Sequence, residues 1–187
     1  MMKSLCAGMV VLGLAAAPAL ADQQTTTAEK ADKLMAGGKL PDENFVIKAA
    51  NGSMAEVELG KLAVDKAGSD EVKKFARRMV DDHSKANNEL KTLAQNKHIT
   101  LPAAIEAKEK ALHDRLAKLS GAAFDRAYIQ AMLTDHKKDV NEFRMEARSG
   151  TDADVKGWAA KTLPTLEAHL KLAENTNRAV GTSGKKP

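Results

Sequence analysis

The stretch of sequence that decides the fold is residues 70–97, DEVKKFARRMVDDHSKANNELKTLAQNK. Its apolar residues recur every three or four positions, which is the spacing of a helix with one apolar face. The residues on that face are Val72, Phe75, Ala76, Met79, Ala86, Leu90, Leu93 and Ala94. In the gap between Met79 and Ala86, the same face carries Asp82 and His83. The stretch therefore predicts a helix that directs an acid and an imidazole towards its packing partner.

Three other segments carry the same apolar spacing and predict three more long helices. Their predicted bounds are residues 42–67, 122–148 and 151–177. Tight turns at Gly68 and Gly150 separate the members of each pair, so the four helices are expected to form two antiparallel hairpins. A shorter helix over residues 103–119 is predicted to cross from one hairpin to the other.

The ends of these helices carry recognisable signals. Gly68 is the predicted stop of the first long helix, and Ser69 is the predicted N-cap of the second. Thr151 with Asp154 has the pattern of a capping box for the last helix, which Pro164 is expected to kink. Together these features predict an all-α fold, a ferritin-like four-helix bundle of two antiparallel hairpins with an extra crossover helix.

The first residues have the pattern of a secretory signal peptide. Lys3 precedes an apolar run, residues 5–17, that is short for a membrane span, and Ala19-Leu20-Ala21 fits a cleavage site. We therefore expect a protein of the bacterial envelope, located in the periplasm or secreted. The predicted organisation is a signal peptide, a flexible leader, the helical bundle and a disordered tail, over residues 1–21, 22–41, 42–178 and 179–187.

The composition limits the metal ligands and the partners that the protein can have. Cleavage removes Cys6, the one cysteine, so any metal site must use histidines and carboxylates. It also removes Lys3 and leaves 28 of the 29 basic residues against 25 acidic ones, interleaved along the chain. With one Tyr and one Trp there is no aromatic set for stacking bases, so no nucleic-acid partner is expected. No transmembrane segment is expected after cleavage, and the expected partners are an envelope protein or a second copy of the chain.

Four phrases of the sequence resemble one family. They are AANGSMAEVELGKLA (49–63), KKFARRMVDDHSKANNEL (73–90), SGAAFDRAYIQAMLTDHKKDV (120–140) and KTLPTLEAHLKLA (161–173). The resemblance, over residues 44–174, is to secreted bacterial ferritin-like proteins that are catalogued as a domain of unknown function and often labelled outer membrane proteins. It implies a ferritin-like fold and an envelope location, and it implies no activity.

Four polar residues on the apolar faces form the candidate site. They come one from each long helix, and they are Glu56, His83, His136 and His169. At about 1.5 Å per residue, the first three are expected at one level of the bundle, with His169 about one turn further from the second hairpin's turn. Imidazoles with a carboxylate suit zinc, copper or iron, and the neighbouring Asp82 and Asp135 are candidate ligands or orienting residues.

The usual di-iron ligand pattern of ferritin-like proteins is missing. That pattern includes Glu-x-x-His on two helices, whereas Val80, Leu133 and Leu166 stand three residues before the three histidines. A standard di-iron oxidase site is therefore not expected, and no catalytic residue is predicted. His98 and His113 are expected on the surface.

A second interpretation of the same residues is a polar network that fixes the register of the helices. In this interpretation Glu56 pairs with His83, and Asp125 or Tyr128 pairs with groups of the last helix. Asp82 and Asp135 would then be solvated neighbours of the network, or salt-bridge partners between helices for Arg77, Arg78 or Arg126.

Three functions stay open at this point. The first is a non-catalytic envelope protein with a metal or small-ligand site at the bundle centre. The second is a structural or protein-interaction module of the envelope stress response. The third is a metal-dependent oxidoreductase that lacks the usual ligand motif.

Overall fold

The computed structural model describes residues 41–183, and these residues form an all-α bundle. Its five helices are α1 (Pro41–Lys66), α2 (Asp70–Asn96), α3 (Ala107–Ala117), α4 (Gly121–Ser149) and α5 (Ala153–Ser183). Within this range there is no strand beyond an isolated bridge between Ala67 and Gly121. The all-α class is confirmed. The predicted signal peptide, the predicted leader up to residue 40 and the last four residues of the predicted tail lie outside the described residues, whereas Pro41 begins α1.

The long helices pair as their short connections require. α1 packs along α2 and α4 packs along α5, each over most of its length. The two pairs meet where α2 contacts α5 and where α1 contacts α4, and α3 lies against α1 and α4. All four long helices therefore contribute to a shared centre.

The core consists of two apolar clusters. The Tyr128 cluster contains Phe75 and Phe124, whose rings lie 6.0 and 5.6 Å from the ring of Tyr128. The Trp158 cluster contains Phe45 and Phe143, whose rings lie 6.2 and 5.4 Å from the ring of Trp158. Burial of these aromatic side chains holds the two halves of the bundle together, because each removes a large apolar area from water.

Between the two clusters lies a layer of buried polar residues, which we call the polar layer: Glu56, His83, His136 and His169. Each of its residues falls at the point where its helix passes from one apolar cluster to the other. On α2, for example, Met79 belongs to the Tyr128 cluster and Leu90 to the Trp158 cluster, with His83 between them. The apolar stripe of every long helix is thus interrupted at the same height.

The crossover helix is shorter than the sequence indicates. It begins at Ala107 with Glu106 as its N-cap, and not at residue 103. Ile99 and Leu101, in the irregular segment before it, pack against the Trp158 cluster. Their burial explains why the chain does not enter the helix directly after Pro102.

The start of α5 corrects the predicted capping box. The carboxylate of Asp152 accepts hydrogen bonds from the backbone N–H groups of Asp154 and Val155, at 3.0 and 3.1 Å. Thr151 instead donates its hydroxyl and its backbone N–H to Asp42, at 2.7 and 2.9 Å. The capping residue is therefore Asp152, because Thr151 is engaged by a carboxylate from α1.

Ser69 is the N-cap residue of α2, as the sequence predicts, but its side chain does not cap the helix. Ser69 gives its hydroxyl to Glu71, at 2.6 Å, and makes no side-chain cap bond. The carboxylate of Asp125 accepts the N–H groups of Gly68 and Ser69, at 3.0 and 2.9 Å, and so does not pair with the last helix. The left-handed glycine near this turn is Gly121, with φ of 56°.

The last helix is longer than expected. The sequence places its end near residue 177 and a disordered tail from residue 179, whereas α5 continues to Ser183 and runs unbroken through Pro164. Thr176 and Val180, one turn apart, are both buried, and Val180 belongs to the Tyr128 cluster. Packing of Val180 accounts for the extra turn, since buried apolar contact stabilises a helix end beyond its local propensity.

Candidate metal centre

The structure brings the three histidines of the polar layer together. Nε2 of His136 lies 3.4 Å from Nδ1 of His169. One nitrogen of each of the three rings lies within 4.8 Å of a nitrogen of the other two. All three rings are buried, so the nitrogens face one another in the interior and not in solvent.

His169 does not lie a turn away from the others. Counted from the helix ends, His136 lies 13 residues before Ser149 and His169 lies 16 residues after Ala153. Side chains on a helix tilt towards its N-terminus, which moves His136 away from the turn and His169 towards it. The two tilts act in opposite directions along the bundle and close the expected gap.

The second nitrogen of every ring is held by a protein group. Ser53 Oγ lies 3.1 Å from Nδ1 of His83, and the carbonyl of Met132 lies 3.0 Å from Nδ1 of His136. The carboxylate of Asp82 lies 2.8 Å from Nε2 of His169. Groups that bind the outer nitrogen in this way fix the ring and its tautomer, as they do around metal-bound histidines.

These partners determine which nitrogens carry protons. A carbonyl and a carboxylate only accept hydrogen bonds, so Nδ1 of His136 and Nε2 of His169 are the donors. The facing nitrogens of the two neutral rings then carry lone pairs, and neither can donate to the other across 3.4 Å. A tetrahedral metal with nitrogen ligands at about 2.0–2.1 Å holds them about 3.3–3.4 Å apart.

Glu56 completes the polar layer and is fully buried. Its carboxylate oxygens lie 3.0 Å from Nε2 of His83 and 3.2 Å from Nδ1 of His136. Neither oxygen, nor Nε2 of His83, has a hydrogen-bond partner in suitable alignment. The hydroxyl of Tyr128 is likewise buried without one. Buried polar atoms are rarely left in this state, and a cation among them would satisfy the carboxylate and the imidazole at once.

The surroundings keep the imidazoles neutral. Burial, followed by repulsion from His169, lowers the pKa of His136 to about 4. Burial lowers the pKa of His83 well below its ordinary value, and repulsion from the other two rings adds to this effect. Burial also lowers the pKa of His169, although Asp82 opposes it. At neutral pH, all three rings therefore have a lone pair available for a metal.

Glu56 responds to burial in the opposite direction. Burial raises its pKa well above the ordinary value, and the negative charges of Asp139 and Asp135 raise it further. A cation bound beside this carboxylate would compensate the charge that burial disfavours.

The two predicted aspartates lie in different surroundings. Asp82 binds His169 and also accepts a hydrogen bond from Nε of Arg78, at 3.1 Å, one turn away on the same helix, so its salt bridge lies within α2 and not between helices. Asp135 lies instead with Asp139 and Glu56, and one carboxylate oxygen of each is within 4.8 Å of the others. Burial raises the pKa of Asp135, and burial with repulsion from Asp135 raises that of Asp139 to about 7.

A cavity of about 200 Å³ adjoins the polar layer. Its lining includes Glu56, His83 and His169 of the polar layer, Asp135 and Asp139, and the aromatic residues of the Trp158 cluster. Charged residues of α3 and α4 also line it, among them Lys108, Glu109 and Lys138. The cavity provides room for water or a small ligand next to the histidines.

The remaining histidines lie elsewhere. His98 is exposed, and His113 is half-buried on α3 with Nδ1 3.5 Å from Asp114. The sequence did not single out Ser53 or Asp139, although both border the site. Asp139 follows Asp135 by four residues and so shares its helix face, a signal that was available. Ser53 had no such signal, because its role depends on how α1 meets α2.

None of the helices in the described part of the chain is long and apolar enough to span a membrane.

Solved structures with the same fold include metal-bound proteins. CopM in its Cu(I)-bound form has a TM-score of 0.62 and 19% identity, covering 75% of this chain and 98% of that one. The Cu(II)-bound form has a TM-score of 0.63 and 20% identity, covering 74% and 96%. A Streptomyces coelicolor protein described as secreted, DUF305, has a TM-score of 0.63 and 16% identity, covering 75% and 93%. At these identities the likeness concerns the fold alone.

Sequence comparison gives the family. No curated protein sequence matches the chain. The profile of Domain of unknown function (DUF4142) matches residues 15–176, which is most of the chain, and the protein belongs to the DUF4142 family.

Proposed function

We propose that the protein binds one copper ion in the polar layer. The ligands are the free nitrogens of the three histidines, with Glu56 beside them as the carboxylate. The observation that carries this proposal is the pair of unprotonated nitrogens on His136 and His169, which lie 3.4 Å apart. Each ring is held in place because its other nitrogen donates a hydrogen bond to an acceptor. Without a cation, two lone pairs face each other in a buried site. With one, both lone pairs are used.

Copper is favoured over the other candidates by two considerations. Imidazole suits copper, zinc and iron, and among divalent ions of the first transition row copper binds such sites most tightly. The chain also has the fold of CopM, for which Cu(I)-, Cu(II)- and Ag-bound structures exist. The site supplies no thiolate, so its ion is held by nitrogen and oxygen alone.

The test is a titration of the purified, chelator-treated protein with Cu(II), and with Cu(I) under reducing conditions. Bound metal is measured after dialysis by elemental analysis. We expect one copper per chain in the wild type and loss of tight binding in His83→Gln, His136→Gln and His169→Gln. The controls are His98→Asn and His113→Gln, which remove imidazoles outside the polar layer and should retain one copper.

Two outcomes would contradict the proposal. Equal copper loss in the control variants would place binding on surface histidines. If the protein retains zinc or iron in the presence of competing copper, the site exists but its ion is not copper. Parallel titrations with Zn²⁺ and Fe²⁺ therefore belong to the same experiment.

A second candidate function is purely structural. Glu56 lies between His83 and His136, at 3.0 and 3.2 Å, so a shared proton could join the two hairpins without a metal. In that case no metal binds, and the three histidine variants only lower the stability of the protein. The same titration separates this candidate from the metal site.

The proposed location is outside the cytoplasm, in the periplasm or beyond the cell. The pattern of residues 1–21 supports it, as does the description of the Streptomyces coelicolor neighbour as secreted.

A further inference from the structure

Glu56 also belongs to a second cluster, which consists of carboxylates alone. It consists of Glu56 on α1 with Asp135 and Asp139 on successive turns of α4, and one oxygen of each lies within 4.8 Å of the others. Cations with oxygen ligands at about 2.0–2.6 Å hold those oxygens at most about 4–5 Å apart. The spacing therefore fits a single ion among the three carboxylates.

An independent observation points to a ligand at this place. Glu56 is completely buried and borders the cavity, yet neither of its oxygens has an aligned hydrogen-bond donor. Lys138 and Lys108 border the same cavity and partly offset the charges of the two aspartates, but Lys138 is exposed and its Nζ lies 3.7 Å from Glu142. Three neighbouring carboxylates without a hydrogen-bonded cation repel one another, and a divalent ion would remove that repulsion.

We propose that Glu56, Asp135 and Asp139 bind a second, hard divalent cation of the Mn²⁺, Mg²⁺ or Ca²⁺ class. Oxygen-only ligands select ions of this class, in contrast to the imidazoles next to them. Asp135 and Asp139 are half-buried and border the cavity of about 200 Å³, which leaves room for water molecules to complete the coordination.

Glu56 belongs to both groups of ligands. Its two oxygens face different histidines, and the same carboxylate faces the two aspartates. The centre is therefore a mixed two-metal site in which Glu56 is shared. This bridging role rests on the proposed copper site, whereas cation binding by the two aspartates stands without it.

The probe is Mn²⁺, because the six-line electron paramagnetic resonance signal of the free ion disappears when the ion binds. We expect the chelator-treated wild type to bind one Mn²⁺ per chain and Asp139→Asn to bind it at least tenfold more weakly. Asp135→Asn should have the same effect. The matched control is Glu142→Gln, which removes a carboxylate of the same helix and cavity but outside the group of three, and it should bind within twofold of the wild type.

A further variant separates this proposal from the copper site. His136→Gln should lose copper and retain Mn²⁺. If His136→Gln binds Mn²⁺ while the wild type binds no copper, the carboxylate site is supported and the proposed copper binding is wrong. If Asp139→Asn binds Mn²⁺ as well as the wild type does, or if Glu142→Gln loses it equally, the carboxylate site is wrong. Circular dichroism of each variant checks that it is folded.

The sharing of Glu56 between the two metal ions can be measured separately. With Cu²⁺ and Mn²⁺ both bound, two paramagnetic ions that share Glu56 broaden each other's resonance signals. Wild-type protein should show this broadening, and Asp139→Asn loaded with copper should not. An unchanged Cu²⁺ signal on addition of a bound Mn²⁺ would overturn the bridging role.

Discussion

His169 shows how a single hydrogen bond defines the chemistry of a residue. The carboxylate of Asp82 lies 2.8 Å from Nε2 of His169 and accepts its N–H, which leaves Nδ1 as the free nitrogen that faces His136. Without Asp82 the ring could rotate or change tautomer, and the lone pair would no longer be fixed in the site. We therefore expect Asp82→Ala to lower copper affinity by about 10–100-fold, measured by competition with a chromophoric chelator.

The control for this variant is the adjacent Asp81→Ala. Asp81 is exposed and lies on a different face of α2, so its removal should leave copper affinity within about twofold. If the two variants lose affinity equally, the effect of Asp82 is one of overall charge and not of orientation.

The sequence reveals the buried members of the candidate site, because an imidazole or a carboxylic acid is easily recognised on an otherwise apolar helix face. It identified Glu56, His83, His136 and His169 for this reason, and the structure brings them to one layer. It could not specify the outer hydrogen bonds of the rings. The Met132 carbonyl, for example, belongs to the backbone one turn before His136 and has no sequence signature of its own.

At the scale of the helix, Asp42 acts as a cap for a helix other than its own. Its carboxylate accepts hydrogen bonds from the Thr151 hydroxyl and from the backbone N–H groups of Thr151 and Asp152, just before α5. Asp42→Asn should therefore destabilise the protein at pH 7 by about 1 kcal/mol, as the loss of a cap does. Urea unfolding measures this difference.

The pH dependence of the Asp42 effect follows from its pKa. Burial tends to raise that pKa, but the hydrogen bonds around Thr151 lower it overall, from an ordinary value of 3.8. The stabilisation by Asp42 is thus complete above about pH 4 and is lost as the pH falls through the lowered native pKa. The stability difference between wild type and Asp42→Asn should shrink in that range.

Two charged neighbours affect the size of this difference. Burial, together with Asp42, raises the pKa of Glu146, so removal of the Asp42 charge relieves Glu146 and reduces the loss at pH 7. Asp152 also faces Asp42 and opposes its ionisation. A stability difference that grows as the solution is acidified would contradict the capping role.

Substitution of two glycines by alanine should change the stability of the protein in opposite directions, because their backbone conformations differ. Gly121, at the start of α4, has φ of 56°, and a Cβ there would meet no atom within 4 Å. Gly121→Ala should therefore destabilise the protein by about 1–2 kcal/mol through backbone strain alone. Gly157 lies inside α5 and also has open space, so Gly157→Ala should stabilise it by about 0.5–1 kcal/mol.

Thermal unfolding of both variants is the measurement. The comparison is informative because neither substitution creates a contact or a clash. If both changes have the same sign, the conformational explanation fails for one of them.

The sequence predicts that each long helix exists, but it does not reveal which groups form hydrogen bonds at the helix ends. Each long helix carries enough apolar residues at the right spacing to be recognised, and the bounds agree to within a few residues at most ends. The ends differ because their partners are distant in sequence. Asp42 reaches Thr151 across 109 residues, and Asp125 reaches Gly68 across 57, so no local pattern could reveal either bond.

At the scale of the molecule, the polar layer interrupts an otherwise apolar core. Tight packing between α1 and α2 and between α4 and α5 forms two hairpins, which meet over a smaller surface. The polar layer takes one residue from each of the four long helices and therefore lies at the junction of the hairpins. A metal ion or a hydrogen bond that connects these residues therefore also connects the two halves of the bundle.

Bound copper should consequently stabilise the whole fold and not one helix. An ion that binds only the folded state adds about 2.7 kcal/mol when its free concentration is 100 times Kd. For a chain of this size that gain raises the midpoint of thermal unfolding by roughly 5–10 °C. We expect this rise for the wild type in a single cooperative transition, measured by circular dichroism with and without copper.

The variants show whether the ion acts through all four helices. His83→Gln and His169→Gln remove ligands from different hairpins, so both should lose the copper-dependent rise. His98→Asn changes an exposed imidazole and should keep it. If His83→Gln retains the rise while His169→Gln loses it, the ion binds one hairpin only, and the two halves of the bundle are joined without it. If both variants lose it, the metal and the fold are linked through the polar layer, and the helix register that places these residues at one height is the feature that makes binding possible.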